Sequence, residues 1–299
     1  MRSDETLCHY TDLTGLTGII GSGAFWATNL SFLNDKSELL HGLDCAKKAL
    51  QLMPQPVHFD EWDQDFTDAI EQLRGQDIDD IFTVSFCRNA DLLSQWRGYS
   101  GKAQGVSLVF EQQELIAMFE GFIARENTLL KQGIYLEKFY LINESVTYTD
   151  PEQTPEFKEK IQAYINEYET YKKSIGPNEA SQSGYIQYMI SQVAPFFKHS
   201  GFREEEEYRI VIRNLFGNNK IQFRNNGKTI IPYIPVTLTG EEKPTEEKVR
   251  QKTLKLPLRE IKVGPCEDFM QVKKGIELLL KVNGYFGVNI TRSSIPYRG

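Results

Sequence analysis

Asn225-Asn226-Gly227 precedes the strand-like run Thr229 to Ile234, and an Asn-Gly turn of this kind admits the left-handed backbone that a tight β-hairpin needs. It commits this part of the chain to antiparallel pairing. Further strand-like runs are Phe25 to Thr28, Ile81 to Cys87, Gly105 to Phe110, Glu206 to Arg213, Ile261 to Val263 and Val288 to Thr291, with one or two more in 133–149. They mix with helical segments in no regular βαβ period. The class expected is therefore α+β, a mostly antiparallel sheet with packed helices.

The helical segments announce themselves by capping and spacing. Thr11 or Asp12 can cap a helix that buries Leu13, Leu16, Ile19 and Ile20 and ends at Gly21 or Gly23. Asn34 or Asp35 opens a second helix; Asp35 and Glu38 resemble a capping box, and Pro54 and Pro56 break the helix. Others are predicted over Glu61 to Leu73, Pro155 to Ile175, Ser181 to Phe197 and Gln271 to Val282. No linker, low-complexity tract or repeat interrupts the 299 residues. One domain over 1–299 with a helical insert at about 150–200 is expected.

A net charge of −7 and a pI near 5.3 make the chain as a whole a poor match for nucleic-acid phosphates. The opening MRSDETLCHYT has no apolar signal core, and no stretch approaches 18 continuous apolar residues, so a cytoplasmic protein with no membrane partner is expected. Cys8, Cys45, Cys87 and Cys266 form no CxxC pair, and His9, His41, His58 and His199 lack metal-ligand spacing. Reduced cysteines and no metal follow. Neither GxGxxG, GxxxxGK[ST] nor GxSxG occurs.

Four segments carry polar groups beside apolar runs: Cys8 to Thr11, Ser31 to Asp35, Leu92 to Tyr99, and Phe202 to Ile212. In the last, strand alternation places Glu205, Glu207 and Arg209 on one face. Two carboxylates beside a guanidinium can grip hydroxyls or steady a developing cation; a salt-bridged strand end explains them equally simply. His9, beside Tyr10 and Thr11, can donate one hydrogen bond and accept another, as ribose hydroxyls require. Thr11, Asn34 and Asp35 are also explained as helix caps. Ser94, Trp96, Arg97 and Tyr99 suit a planar ring and a phosphate, whereas Trp96 and Tyr99 as core plugs are the competing account.

The order HYT, WATNLSFLND, LLSQWRGY, GVSLVF, EEEEYRIVI, IKVGP and SSIPYR, from about residue 7 to 298, resembles a widespread bacterial family of uncharacterised proteins. A looser likeness, carried by the His-aromatic-Thr opening and the late Glu-x-Glu entering a strand, is to the ADP-ribosyltransferase fold. That resemblance implies a split antiparallel sheet that binds NAD as co-substrate. His9 would contact ribose, Trp26 or Tyr99 would stack on nicotinamide, and Glu207, preceded by Glu205, would hold the ribose as positive charge develops. The Ser-Thr-Ser segment of one transferase branch is absent, the tyrosine of the other has no clear counterpart, and Arg209 beside Glu207 is unusual. The implied function is ADP-ribosyl transfer to a protein, nucleic acid or small molecule, or NAD glycohydrolysis, in a toxin or antiphage effector. The alternative is a non-catalytic nucleotide-binding sensor or interaction module.

Overall fold

The computed structural model describes residues 5–33, 37–56, 59–75, 80–100, 103–130, 139–150, 155–175, 182–214, 220–225, 227–237, 239–240, 252–253 and 255–296. Its first elements are β1 (Thr6–Asp12), α1 (Leu13–Ser22), β2 (Phe25–Asn29), α2 (Ser37–Leu50), α3 (Trp62–Gly75) and β3 (Ile81–Cys87). Then come α4 (Leu93–Ser100), β4 (Gly105–Glu111), α5 (Gln112–Leu130), β5 (Phe139–Ser145), β6 (Thr147–Tyr148), α6 (Pro155–Ile175) and α7 (Gln182–Val193). The chain continues through β7 (Phe197–Lys198), β8 (Glu207–Asn214), β9 (Gln222–Asn225), β10 (Ile230–Val236), β11 (Thr239–Gly240) and β12 (Lys252–Thr253). It ends on β13 (Leu258–Val263), α8 (Phe269–Val282) and β14 (Asn289–Arg292).

The protein is α+β with a mostly antiparallel sheet, ordered β14-β13-β4-β1-β3-β2-β10-β9, with β8 paired to β3 and β5. β9 and β10 pair antiparallel, with Ile230 opposite Asn225, as the sequence requires. β13 and β14 are parallel, with α8 as the crossover. A strand has two edges, yet β1, β2 and β8 all bond to β3, so two of them share one edge and the sheet forks there.

Local chemistry explains the elements that position this fork. Asp12 is the cap of α1, its carboxylate accepting from Gly15 N at 2.7 Å, and Gly23 ends the helix with φ 62°. Leu7, Phe25, Phe82, Val84, Phe86, Leu108 and Phe110 alternate inward from their strands into one core. α5, which the strand and helix signals above did not mark, adds Leu115, Met118, Phe119 and Phe122 to that core. Their i, i+3, i+4, i+7 spacing is the helical stripe that identifies it.

The chain divides into two compact units rather than one domain with a simple insert. The sheet unit comprises Met1–Thr28, Phe82–Asn143 and Glu205–Gly299; the helical unit comprises Asn29–Ile81 and Glu144–Glu204. The predicted insert is thus only half of the helical unit, because α2 and α3 pack with α6 and α7. Phe59, Trp62, Phe66 and Tyr168 supply its aromatic core, with Phe59 between Trp62 at 4.9 Å and Tyr168 at 4.7 Å. The Phe59–Tyr168 pair forms only when segments about a hundred residues apart meet, and periodicity within one segment cannot report that.

Candidate functional site

β1 meets β3 in register at Cys8–Cys87. One residue on, the His9 ring enters the fork: its Nδ1–H donates to the Ser85 carbonyl at 3.0 Å. The carbonyl can only accept, so the proton sits on Nδ1 and Nε2 presents a lone pair. Phe25 and Phe86 hold the ring at 5.6 and 5.7 Å. Burial lowers the His9 pKa; the Ser85 bond opposes this and the positive Arg224 adds to it, so the ring is neutral at pH 7. Nε2 has no hydrogen-bond partner among the described residues.

Trp26 stands half-buried on β2, where it forms one side of a second feature. The Arg224 guanidinium, on β9, lies 5.5 Å from the Trp26 ring and 6.0 Å from that of Tyr233 on β10. The two rings are 5.4 Å apart, so the three groups form a near-equilateral triangle and the cation rests in a notch between rings rather than between parallel plates. Arg224 Nη2 donates to Thr28 Oγ1 at 2.9 Å. Tyr233 Oη in turn donates to Gln222 Oε1 at 3.0 Å. Nothing in the sequence singles out Arg224, Tyr233 or Thr28; strand register alone groups them, through the Tyr233–Thr28 and Ile231–Arg224 pairs.

The acidic run differs from its sequence expectation. Glu205 closes a 3-10 turn, Ser200–Glu205, and Glu206 takes φ 43°, so strand alternation starts only at Glu207. Glu205 and Glu207 are therefore not neighbours on one strand face. Glu207 Oε1 accepts from Arg209 Nε at 2.8 Å and Nη2 at 2.7 Å, and both side chains are buried, 4% and 1% exposed. Tyr208, Ile210 and Ile212 point into the core that grips His9, so Glu207 and Arg209 project from the opposite face of β8.

Several residues read as ligand-binding have structural work instead. The Tyr10 hydroxyl donates to Asn89 O and accepts from Leu92 N, each at 2.9 Å. Trp96 is 4% exposed, edge-on to Tyr10 at 4.7 Å, and its indole N–H donates to Asp91 at 2.9 Å. It is a core plug, not a stacking platform. Thr11 lies over α1, where a Cβ on Gly15 would meet its hydroxyl at 2.0 Å. Arg97 is exposed on α4, and the Ser94 hydroxyl oxygen is buried without a hydrogen bond among the described residues. Tyr99 belongs to α4, but its side chain lies outside the described residues, as does Asn34.

The helical unit has its own polar cluster, unmarked by sequence spacing. His41 Nε2 lies 3.0 Å from Thr149 O and its ring 5.7 Å from that of His199. His199 Nε2 is 3.4 Å from Asp150, and buried Lys198 pairs with Glu38 at 2.9 Å. Among the described residues, no group of three or more His, Cys, Asp or Glu is placed to hold a metal. No described helix is long and apolar enough to cross a membrane.

Residues 95–210, from α4 into β8, match a family described as a protein of unknown function, DUF2971, and so carry the features of that uncharacterised domain. The matched stretch is narrower than the run of motifs from about residue 7 to 298. No curated protein and no solved structure matches the chain.

Proposed function

We propose that the sheet unit binds a ribose-bearing nucleotide of the NAD class. The observation that carries this reading is His9, a neutral imidazole fixed by Ser85, with an unused acceptor nitrogen at the fork of the sheet. A ribose hydroxyl is the complementary donor. Such preorganisation needs no rearrangement of the imidazole when ligand arrives.

ADP-ribosyl transfer is the second reading. Glu207 favours it, since a carboxylate fixed by a guanidinium is a group that can face a developing cation. The same pairing neutralises part of its field, and Glu207 projects from the face opposite the core around His9. Binding without turnover is therefore the better-supported conclusion.

Thermal melting with NAD, ADP-ribose and adenosine tests it. NAD and ADP-ribose should raise the midpoint for the wild type and not for His9→Ala. Equal midpoints with and without ligand at millimolar concentration would sink the reading. Release of nicotinamide from NAD, lost in Glu207→Gln, would instead establish the transferase or glycohydrolase reading.

A further inference from the structure

We infer that Arg224 is the anion-binding residue of the sheet unit, taking a phosphate group edge-on at the notch formed by Trp26, Thr28 and Tyr233. The inference rests on the nucleotide reading for the identity of the ligand, though the anion site itself stands on its own geometry.

The argument starts from what a guanidinium needs. It carries five N–H donors in one plane and a charge that stays on at any physiological pH. Removing it partly from water is costly unless a carboxylate, a phosphate or several carbonyls replace the lost solvation. Arg224 is half-buried, and desolvation lowers its pKa. The described residues give it one neutral acceptor, Thr28 Oγ1, and no carboxylate. The chain has 41 acidic residues against 34 lysines and arginines, so acids to pair with it are plentiful. Buried Arg209 has one at 2.7 Å and Arg125 one at 2.8 Å. Arg224 differs from both.

The aromatic notch accounts for part of its stability. Each cation–π contact, at 5.5 and 6.0 Å, contributes modestly at a partly exposed site. Those contacts consume no N–H donor, and among the described residues Thr28 Oγ1 engages one Nη2 donor of the five. A guanidinium supported by rings with donors to spare can receive a planar pair of oxygens from phosphate. Rings and hydroxyl also restrict the side chain before ligand arrives, which lowers the entropic cost of binding. On β2, Trp26 and Thr28 alternate with Phe25, against which the His9 ring packs, so the anion notch and the imidazole are separate features of the sheet unit.

Isothermal titration of the full chain with ADP-ribose, inorganic pyrophosphate and adenosine tests this, in wild type, Arg224→Gln and Arg224→Lys. Arg224→Gln should weaken ADP-ribose and pyrophosphate by about 10- to 100-fold, as expected for charge-assisted hydrogen bonds, and leave adenosine unchanged. Arg224→Lys keeps the charge without the fork and should fall between; it also guards against a folding failure in the glutamine variant. Pyrophosphate binding lost in Arg224→Gln, without any adenosine or ADP-ribose binding, would uphold the anion site and reject the nucleotide reading. ADP-ribose binding to Arg224→Gln as tightly as to wild type would reject the inference while leaving the nucleotide reading standing.

Discussion

Asp91 stands just before α4, and replacing it separates a structural role for the Leu92 to Tyr99 segment from a ligand-binding one. Its Oδ1 accepts from Trp96 Nε1 at 2.9 Å and Ser293 Oγ at 2.5 Å. Its Oδ2 accepts from Ser294 N at 2.7 Å and Ser294 Oγ at 2.9 Å. One carboxylate thereby ties α4 to the segment after β14. Asp91→Ala removes all four bonds. Ser294 is exposed, so water replaces its two at little net cost. Trp96 and Ser293 are 4% and 7% exposed, and each buried donor left without an acceptor costs about 1–3 kcal/mol. The expected destabilisation is about 2–6 kcal/mol, with roughly half that for Asp91→Asn, which keeps one acceptor oxygen. Burial alone would raise the Asp91 pKa, but the bonds from Ser293, Ser294 and Trp96 outweigh it and hold the carboxyl below its ordinary 3.8. The sign follows from linkage. The wild type's advantage over Asp91→Ala is full above 3.8, where the unfolded group is ionised, and is lost as pH falls through the lower folded value. Urea unfolding followed by tryptophan fluorescence, at pH 7 and in the acid range, measures both. A loss below about 1 kcal/mol at pH 7 would refute the reasoning, because it would mean that the Trp96 and Ser293 donors are solvated after all.

Two further outcomes concern the helical unit. In Gly42→Ala, the added Cβ would lie 2.2 Å from the Ala194 backbone oxygen, and a backbone atom cannot swing away as a side-chain tip can. Overpacking of this kind costs about 1–3 kcal/mol, so chemical denaturation should show a loss in that range, and an unchanged midpoint would show that α2 shifts freely. His41 has its pKa lowered from 6.5, first by burial and further by His199, against the opposing Thr149 bond and the acids Asp44 and Asp150. The unfolded chain then takes up the proton first, so its contribution to stability is full above 6.5 and is lost as pH drops through the folded value. His41→Gln should flatten that slope in a melting-temperature series from pH 7.5 to 5; an identical slope would count against it.

The sequence by itself determined the elements that depend on near neighbours. Asp12 caps α1 and Gly23 ends it because both act within one turn, and the hairpin of β9 and β10 follows from an Asn-Gly step. Short apolar runs also mark β3 and β4 correctly, since both strands are buried along nearly their whole length. The acidic run was misread at one point only: Glu206 adopts a left-handed backbone, which no pattern of glutamates foretells, and it breaks the face that Glu205 and Glu207 would share.

Tertiary structure decided which polar residues are free to meet a ligand. Tyr10 and Trp96 look like binding residues in the sequence, yet Asn89 and Asp91 satisfy their polar atoms. His9 stands out in the sequence through its neighbours Tyr10 and Thr11, but it is the Ser85 carbonyl 76 residues away that fixes one ring nitrogen and leaves the other open. Arg224 is one arginine among many until β10 brings Tyr233 beside it and β2 brings Trp26 and Thr28. Residue type states what a side chain can bond to, whereas the partners it already has are fixed by contacts from distant parts of the chain.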